Sequence, residues 1–269
     1  MRVASVQHDI VWEDKPANHR LVEEMITKAE LPVGSFILLP ELGDTGFSFN
    51  LDRIADDRSL TWGRDLARRT GCTLQAGYAE RGSHGRGRNC ASIISPAGEV
   101  VGTYRKVHPF SYGREIEHFS GGDRLIIRRC GDALLCPLIC YDLRFPELWR
   151  LAAAAGTEVF TIGASWPDPR QSHWRALLIA RAIENQAFVV ACNRVGNDPH
   201  LSYSGGSIIV APTGEVLAEA GDTPAVLSAD LDLGSLREWR RTFPALGDLR
   251  KDLLGRIEID QVPPDPADD

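Results

Sequence analysis

The sequence predicts an α/β protein in which helices pack on the faces of β-sheet. Three observations carry this. Apolar runs of strand length alternate with stretches of helical periodicity along the chain. Glycine or proline marks the ends of most of these segments. Two similar hairpin motifs, SPAGEVVG (95–102) and APTGEVLA (211–218), stand far apart in the chain.

VASVQ (3–7) reads as a short buried strand. In the helical stretch 16–30, Leu21, Val22, Met25, Ile26 and Ala29 share one face, and Pro16 suits the first turn. FILLP (36–40) is a second buried strand, stopped by its proline, and residues 59–70 form a helix closed by Gly71. TLQAGYA (73–79) is a strand, joined by a polar, glycine-rich loop at 81–89 to the strand CASIIS (90–95). In both hairpin motifs, proline followed two residues later by glycine suits a tight antiparallel turn. Either two hairpins share a favourable turn, or the two halves of the chain share an architecture.

The second half repeats the alternation. A strand ends at Cys140, a helix spans 146–155 and is closed by Gly156, a strand covers 158–163 and a helix 172–186. Strands follow at 188–193, 207–211, 216–220 and 225–230. The tail from Leu236 holds an amphipathic piece with Trp239 and Phe243, then the polar end QVPPDPADD, which is expected to fray. No Pro/Ser or Gly/Ser linker interrupts residues 1–235, so 1–269 reads as one domain, with about 236–269 as its C-terminal tail.

Composition narrows the function. With 269 residues, 43% hydrophobic and 25% charged, the chain can bury a sizeable core. A net charge of −7 disfavours a broad grip on nucleic acid or on an anionic membrane. No apolar run reaches the roughly 18 residues of a membrane span. The start, MRVASVQHDIVW, meets Gln7, His8 and Asp9 before a signal-peptide core could form, so a cytoplasmic protein is expected. Cys72, Cys90, Cys130, Cys136, Cys140 and Cys192 are then expected to be free thiols. Four residues of strand hold Cys136 and Cys140 roughly 13 Å apart, too far to share a metal. No phosphate-binding glycine motif supports a nucleotide cofactor, and RGSHGRGRNC (81–90), lacking aromatics, reads as a hairpin connection rather than an RNA-binding tract.

Three reactive side chains follow apolar or extended segments: Glu41 in FILLPELGDTGF, Lys106 in GTYRKVHPF and Cys140 in LLCPLICYDLRFPELWR. Ligands in open α/β sheets bind at such strand ends. Cys140 lies at a sharp turn before a helix, whose dipole is expected to favour thiolate. Glu41, buried at the end of its strand, is a candidate base for it; Lys106 is a candidate cation for an oxyanion, with the Tyr141 backbone N–H as a second donor. Each has a plainer reading: an inert core cysteine, a loop cap and a solvated edge charge. Spacing does not tie the three together.

Taken in order, LPELGDTGF, YRKVHPF, ICYDLRFPEL and GASWP with HWRALLIARAIENQAFVVACNRVG resemble the carbon–nitrogen hydrolase family, also called the nitrilase superfamily, over residues 3 to about 250. The wording CYDLRFPEL and ARAIENQ is most similar to its ω-amidase branch. The resemblance implies a four-layer α-β-β-α sandwich, a Glu41–Lys106–Cys140 triad and no metal or organic cofactor. It implies a second glutamate, for which Glu115 is preferred over Glu117. It implies hydrolysis of a small ω-amidodicarboxylate such as 2-oxoglutaramate, with N-carbamoyl amines or nitriles as alternative substrates. It also implies a homodimer or higher even oligomer, with the tail able to reach a partner. The substrate's far carboxylate calls for a cation: Arg144, with Arg170 and Arg175 as further candidates. Phe47 and Trp166 are candidate pocket walls. His108 reads as a packed or capping residue. The rival of another class is a catalytically silent interaction module, against which the intact trio argues.

Overall fold

Two six-stranded sheets lie face to face with helices outside, in a computed structural model that describes residues 1–250 and Asp252. The first half contributes β1 (Arg2–Gln7), α1 (Lys15–Ala29), β2 (Phe36–Leu38), α2 (Leu51–Ile54), α3 (Arg58–Thr70), β3 (Thr73–Arg81), β4 (Gly87–Ile94), β5 (Val100–Arg105) and α4 (Glu115–His118). The second contributes β6 (Arg128–Cys130), β7 (Ala133–Ile139), α5 (Pro146–Ala154), β8 (Val159–Ala164), α6 (Gln171–Glu184) and β9 (Phe188–Asn193). A small hairpin, β10 (Val195–Asn197) and β11 (Ser202–Ser204), precedes β12 (Ile208–Val210), β13 (Val216–Glu219), β14 (Ala225–Asp230) and α7 (Leu233–Thr242).

The two sheets follow the same path. In the first, parallel β1, β2 and β3 continue into antiparallel β4 and β5, with β14 antiparallel on the β1 side. In the second, parallel β7, β8 and β9 continue into antiparallel β12 and β13, with β6 antiparallel on the β7 side. The hairpin motifs occupy matching edges. Ser95 N–H donates to Glu99 O and Gly98 N–H to Ser95 O; Ala211 and Gly214 repeat both bonds with Glu215 and Ala211. Gly98 and Gly214 take φ of 77° and 89°, which glycine adopts without strain. Of the two sequence readings, related halves is the one the structure supports.

Burial patterning builds the four layers. Val22, Ile26 and Leu66 bring α1 and α3 onto the first sheet, and Trp149 and Leu178 bring α5 and α6 onto the second. Between the sheets, Val3, Leu38 and Ile93 meet Leu135, Val190 and Ile209. Asp14 caps α1 by accepting the Ala17 N–H, and Gly71 ends α3 at φ 64°. The sequence placed a loop over 81–89, but β3 extends to Arg81 and pairs with Gly87, so the turn is confined to 82–86 and Asn89 is a strand residue. Ladder pairing overrode the polar composition there. Leu233 and Leu236 of α7 are buried, while Phe243 just beyond it is exposed. The end QVPPDPADD lies outside the described residues.

Candidate functional site

Strand ends deliver the site. Glu41 follows β2, Lys106 follows β5 and Cys140 follows β7, so two sheets supply side chains to one point. Lys106 Nζ donates to Glu41 Oε1 at 2.6 Å and to Glu115 Oε2 at 2.8 Å. All three of these side chains are at most 1% exposed. Burial alone would lower the Lys106 pKa, but the Glu115 and Glu41 carboxylates outweigh it and hold the ammonium above the ordinary lysine value. A lysine has three N–H donors, so one remains for a ligand.

Cys140 opens a single 3-10 turn (Cys140–Arg144) at φ 43°, a left-handed conformation that an L residue holds only under constraint. The Asp142 carboxylate supplies that constraint, accepting the Ile139 N–H at 3.2 Å, the Tyr104 O–H at 2.8 Å and the His108 N–H at 3.1 Å. The expectation of a dipole-favoured thiolate is not met. The regular helix begins only at Pro146, and the thiol is pushed well above its usual value, first by burial and then by the adjacent Glu41 carboxylate, against the pull of Lys106. Cys140 rests as a thiol, so attack by its sulfur requires a base beside it, and Glu41 is the carboxylate in that place.

A cavity of about 420 Å³, its open mouth included, holds Glu41, Lys106 and Cys140 together with Tyr141, Phe47 and Trp166. Arg144 and Arg170 border it as well. Arg144 stacks over Trp166 at 4.8 Å and donates to His173 Nδ1 at 3.3 Å; Arg170 stacks over Phe110 at 5.4 Å. Among the described residues neither has an acidic partner, so both guanidinium charges are available to an anion. Arg175 does not join them: it pairs with Glu219 at 2.8 Å away from this cavity. Glu115 faces Lys106, whereas Glu117 is exposed and paired with Arg114 at 2.8 Å. His108 stacks on Phe145 at 3.6 Å and bonds Asp142, a packed residue as the sequence reading had it.

Sequence reasoning missed four contributors. Asn89 Nδ2 donates to Glu41 Oε1 and to Glu115 Oε1. The Ser165 backbone N–H donates to Glu41 Oε2 at 3.0 Å. Asp142 holds the cysteine turn, and Tyr203 borders the cavity from β11. Ser165 lies within the GASWP motif and was within reach; Asn89 was hidden in a stretch that looked like a loop.

Residues 2–241 match the family model described as carbon-nitrogen hydrolase. The chain is 36% identical to a 2-oxoglutaramate amidase of Bacillus subtilis (strain 168), covering 93% of this chain and 98% of that one. It is 35% identical to the omega-amidase YafV of Escherichia coli (strain K12), covering 92% and 96%. A carbon–nitrogen hydrolase superfamily protein of Xanthomonas campestris, solved with an arsenic adduct in its active site, is similar at a TM-score of 0.87 and 29% identity, covering 93% and 97%. A glutamine-for-glutamate mutant of the amidase from Nesterenkonia sp. AN1, with acrylamide added to its active-site cysteine, is similar at a TM-score of 0.84 and 27% identity, covering 95% and 98%.

Proposed function

This chain belongs to the carbon–nitrogen hydrolase family, and from that premise we propose that it hydrolyses the terminal amide of a small ω-amidodicarboxylate, such as 2-oxoglutaramate, to the acid and ammonia through a Cys140 thioester. The observation that carries this is the buried Lys106 ammonium bonded to both Glu41 and Glu115 in the cavity that holds Cys140.

Glu41 takes the thiol proton as Sγ attacks the amide carbon. The remaining Lys106 N–H and the Tyr141 N–H stabilise the oxyanion. Glu41 returns the proton to the departing nitrogen, because an amide anion is too poor a leaving group, and ammonia leaves. Water, deprotonated by the same Glu41, attacks the thioester carbonyl and releases the acid and the thiol. Glu115 positions Lys106 and the substrate amide. Arg144, with Arg170 beside it, binds the far carboxylate, and Phe47 and Trp166 wall the substrate. The names of the relatives, and the two guanidinium groups that bear no acidic partner among the described residues, support this substrate class.

Ammonia release from 2-oxoglutaramate, a neutral amide, a nitrile and an N-carbamoyl amine tests the reading. The carboxylate-bearing amide should be turned over fastest, and Cys140→Ala should abolish turnover while leaving thermal stability intact. Turnover by Cys140→Ala would remove the mechanism, and preference for the nitrile or carbamoyl compound would reassign the substrate.

The same reading has the chain as a single domain that works in the cytoplasm as a homodimer or higher even oligomer. The shared core between the sheets, the six free cysteines and the exposed Phe243 support these points. Among the described residues no helix is long and apolar enough to cross a membrane. Light scattering that finds only a 29.6 kDa species would remove the dimer.

A further inference from the structure

Asn89 is buried in the interior of β4, a place where strand stability favours an apolar or β-branched residue. Among the described residues its Oδ1 has no hydrogen-bond partner, a cost that buried positions seldom carry. Its Nδ2 is fully engaged: it donates to Glu41 Oε1 at 2.8 Å and to Glu115 Oε1 at 2.9 Å. Lys106 Nζ bonds the same two glutamates, at Glu41 Oε1 and Glu115 Oε2. Glu41, Lys106, Glu115 and Asn89 thus close a hydrogen-bonded ring. The ring makes the two oxygens of Glu41 unequal. Oε1 accepts from two donors, a cation and an amide, while among the described residues Oε2 accepts one hydrogen bond, from the Ser165 N–H. An oxygen with two donors aimed at it is a poor place for a further proton.

We propose that Asn89 is a positioning residue: by sharing Glu41 Oε1 with Lys106, it directs the Cys140 proton onto Glu41 Oε2 and keeps Glu41 and Glu115 apart as separate carboxylates. This rests on the reading of Glu41 as the base of Cys140. The proton balance is simple. The S–H bond breaks, an O–H bond forms at Oε2, and the same proton later leaves with the amide nitrogen. Among the described residues, the titratable groups that face Glu41 are Lys106 after β5, Glu115 on α4, Cys140 after β7 and Tyr203 on β11, beside the neutral Asn89 amide from β4 and the Ser165 N–H. Asn89 is the neutral donor whose bonds are made to the ionised form of both acids. Its removal therefore favours proton uptake by the pair and moves the acid limb of the rate profile to higher pH.

The test is Asn89→Leu, with the smaller Asn89→Ala as a second variant that no steric conflict can unfold. Thermal stability, kcat, KM and the pH dependence of kcat/KM are measured for both. The expected result is a 10- to 100-fold fall in kcat, KM within about threefold, and an acid limb raised by about one pH unit. Melting temperature should fall by a few degrees, because Glu115 Oε1 loses its Asn89 donor and a raised acid limb carries a matching loss of stability, offset in part as the orphaned Oδ1 leaves too. The proposal is overturned if kcat stays within threefold with the acid limb unmoved. It is also overturned if activity and melting temperature fall together while the acid limb stays put, which is how a purely structural residue behaves. Turnover by Cys140→Ala, measured alongside, would instead remove the general-base reading beneath it.

Discussion

A Cβ on Gly163 would stand 2.6 Å from the Leu39 carbonyl oxygen and 3.1 Å from the Glu41 nitrogen. The backbone of β8, in the second sheet, therefore abuts the segment that carries Glu41 out of the first. A Cβ on Gly77 of β3, a neighbour within the first sheet, would collide with the Pro40 carbonyl oxygen. Two glycines, neither of them a wall of the cavity, fix where the Glu41 carboxylate sits.

Gly163→Ala should therefore impair catalysis without touching substrate. Forcing a methyl group into that contact is expected to destabilise the protein by about 1–3 kcal/mol. It should also lower kcat at least tenfold, on the order of the loss that small misplacements of reacting groups produce. Chemical denaturation and steady-state kinetics check both; an unchanged kcat would show that Glu41 is placed by other contacts.

Lys106→Met leaves Glu41 and Glu115 buried without their shared cation. Removing one partner of a buried pair costs about 3–5 kcal/mol, and the loss should shrink at acid pH as the carboxylates take up protons. In the wild type the sign is opposite at the alkaline end. The Lys106 pKa is raised by folding, so its contribution is complete below the usual lysine value of 10.5 and is lost only as pH climbs beyond it. Denaturation midpoints across pH for both proteins measure this.

Glu41→Gln separates the two effects of that carboxylate on Cys140. Turnover should fall about 10³-fold with the base gone. The thiol, held up by burial and by the Glu41 charge, loses one of those pushes and keeps the opposing pull of Lys106. Alkylation of Cys140 by iodoacetamide at neutral pH, followed by mass spectrometry, should then be faster in the variant than in the wild type. In the wild type the rate should keep rising with pH past the range where an ordinary thiol levels off. Slower alkylation in the variant would mean that the carboxylate assists the sulfur toward every electrophile.

Cys140→Gly should be more stable than Cys140→Ala. Both are inactive, but only glycine accepts φ 43° without strain, a difference of about 1 kcal/mol. Equal stabilities would indicate that the turn relaxes once the sulfur is gone.

Arg144→Gln should raise KM for an amide that carries a carboxylate by roughly 10- to 100-fold, the worth of one hydrogen bond to a charged group. A neutral amide of the same length should be affected little. Equal losses on both substrates would make Arg144 a packing residue on Trp166.

The sequence by itself determined the alternation of strands and helices, the strand ends at which Glu41, Lys106 and Cys140 emerge, and the repeated turn at 95–98 and 211–214. These features are written in periodicity and turn chemistry, which act between near neighbours. The tertiary structure decided the rest: that Glu115 and not Glu117 faces Lys106, that Asn89 closes the ring, that Cys140 rests as a thiol, and that Arg144 rather than Arg175 borders the cavity. The contacts that gather around Glu41, from Asn89, Lys106 and Ser165, join residues 48, 65 and 124 positions apart. No local pattern sets such distances. They follow from the register of six strands in each sheet and from the close approach of the second sheet to the Glu41 segment at Gly163, which exists only once both sheets have formed.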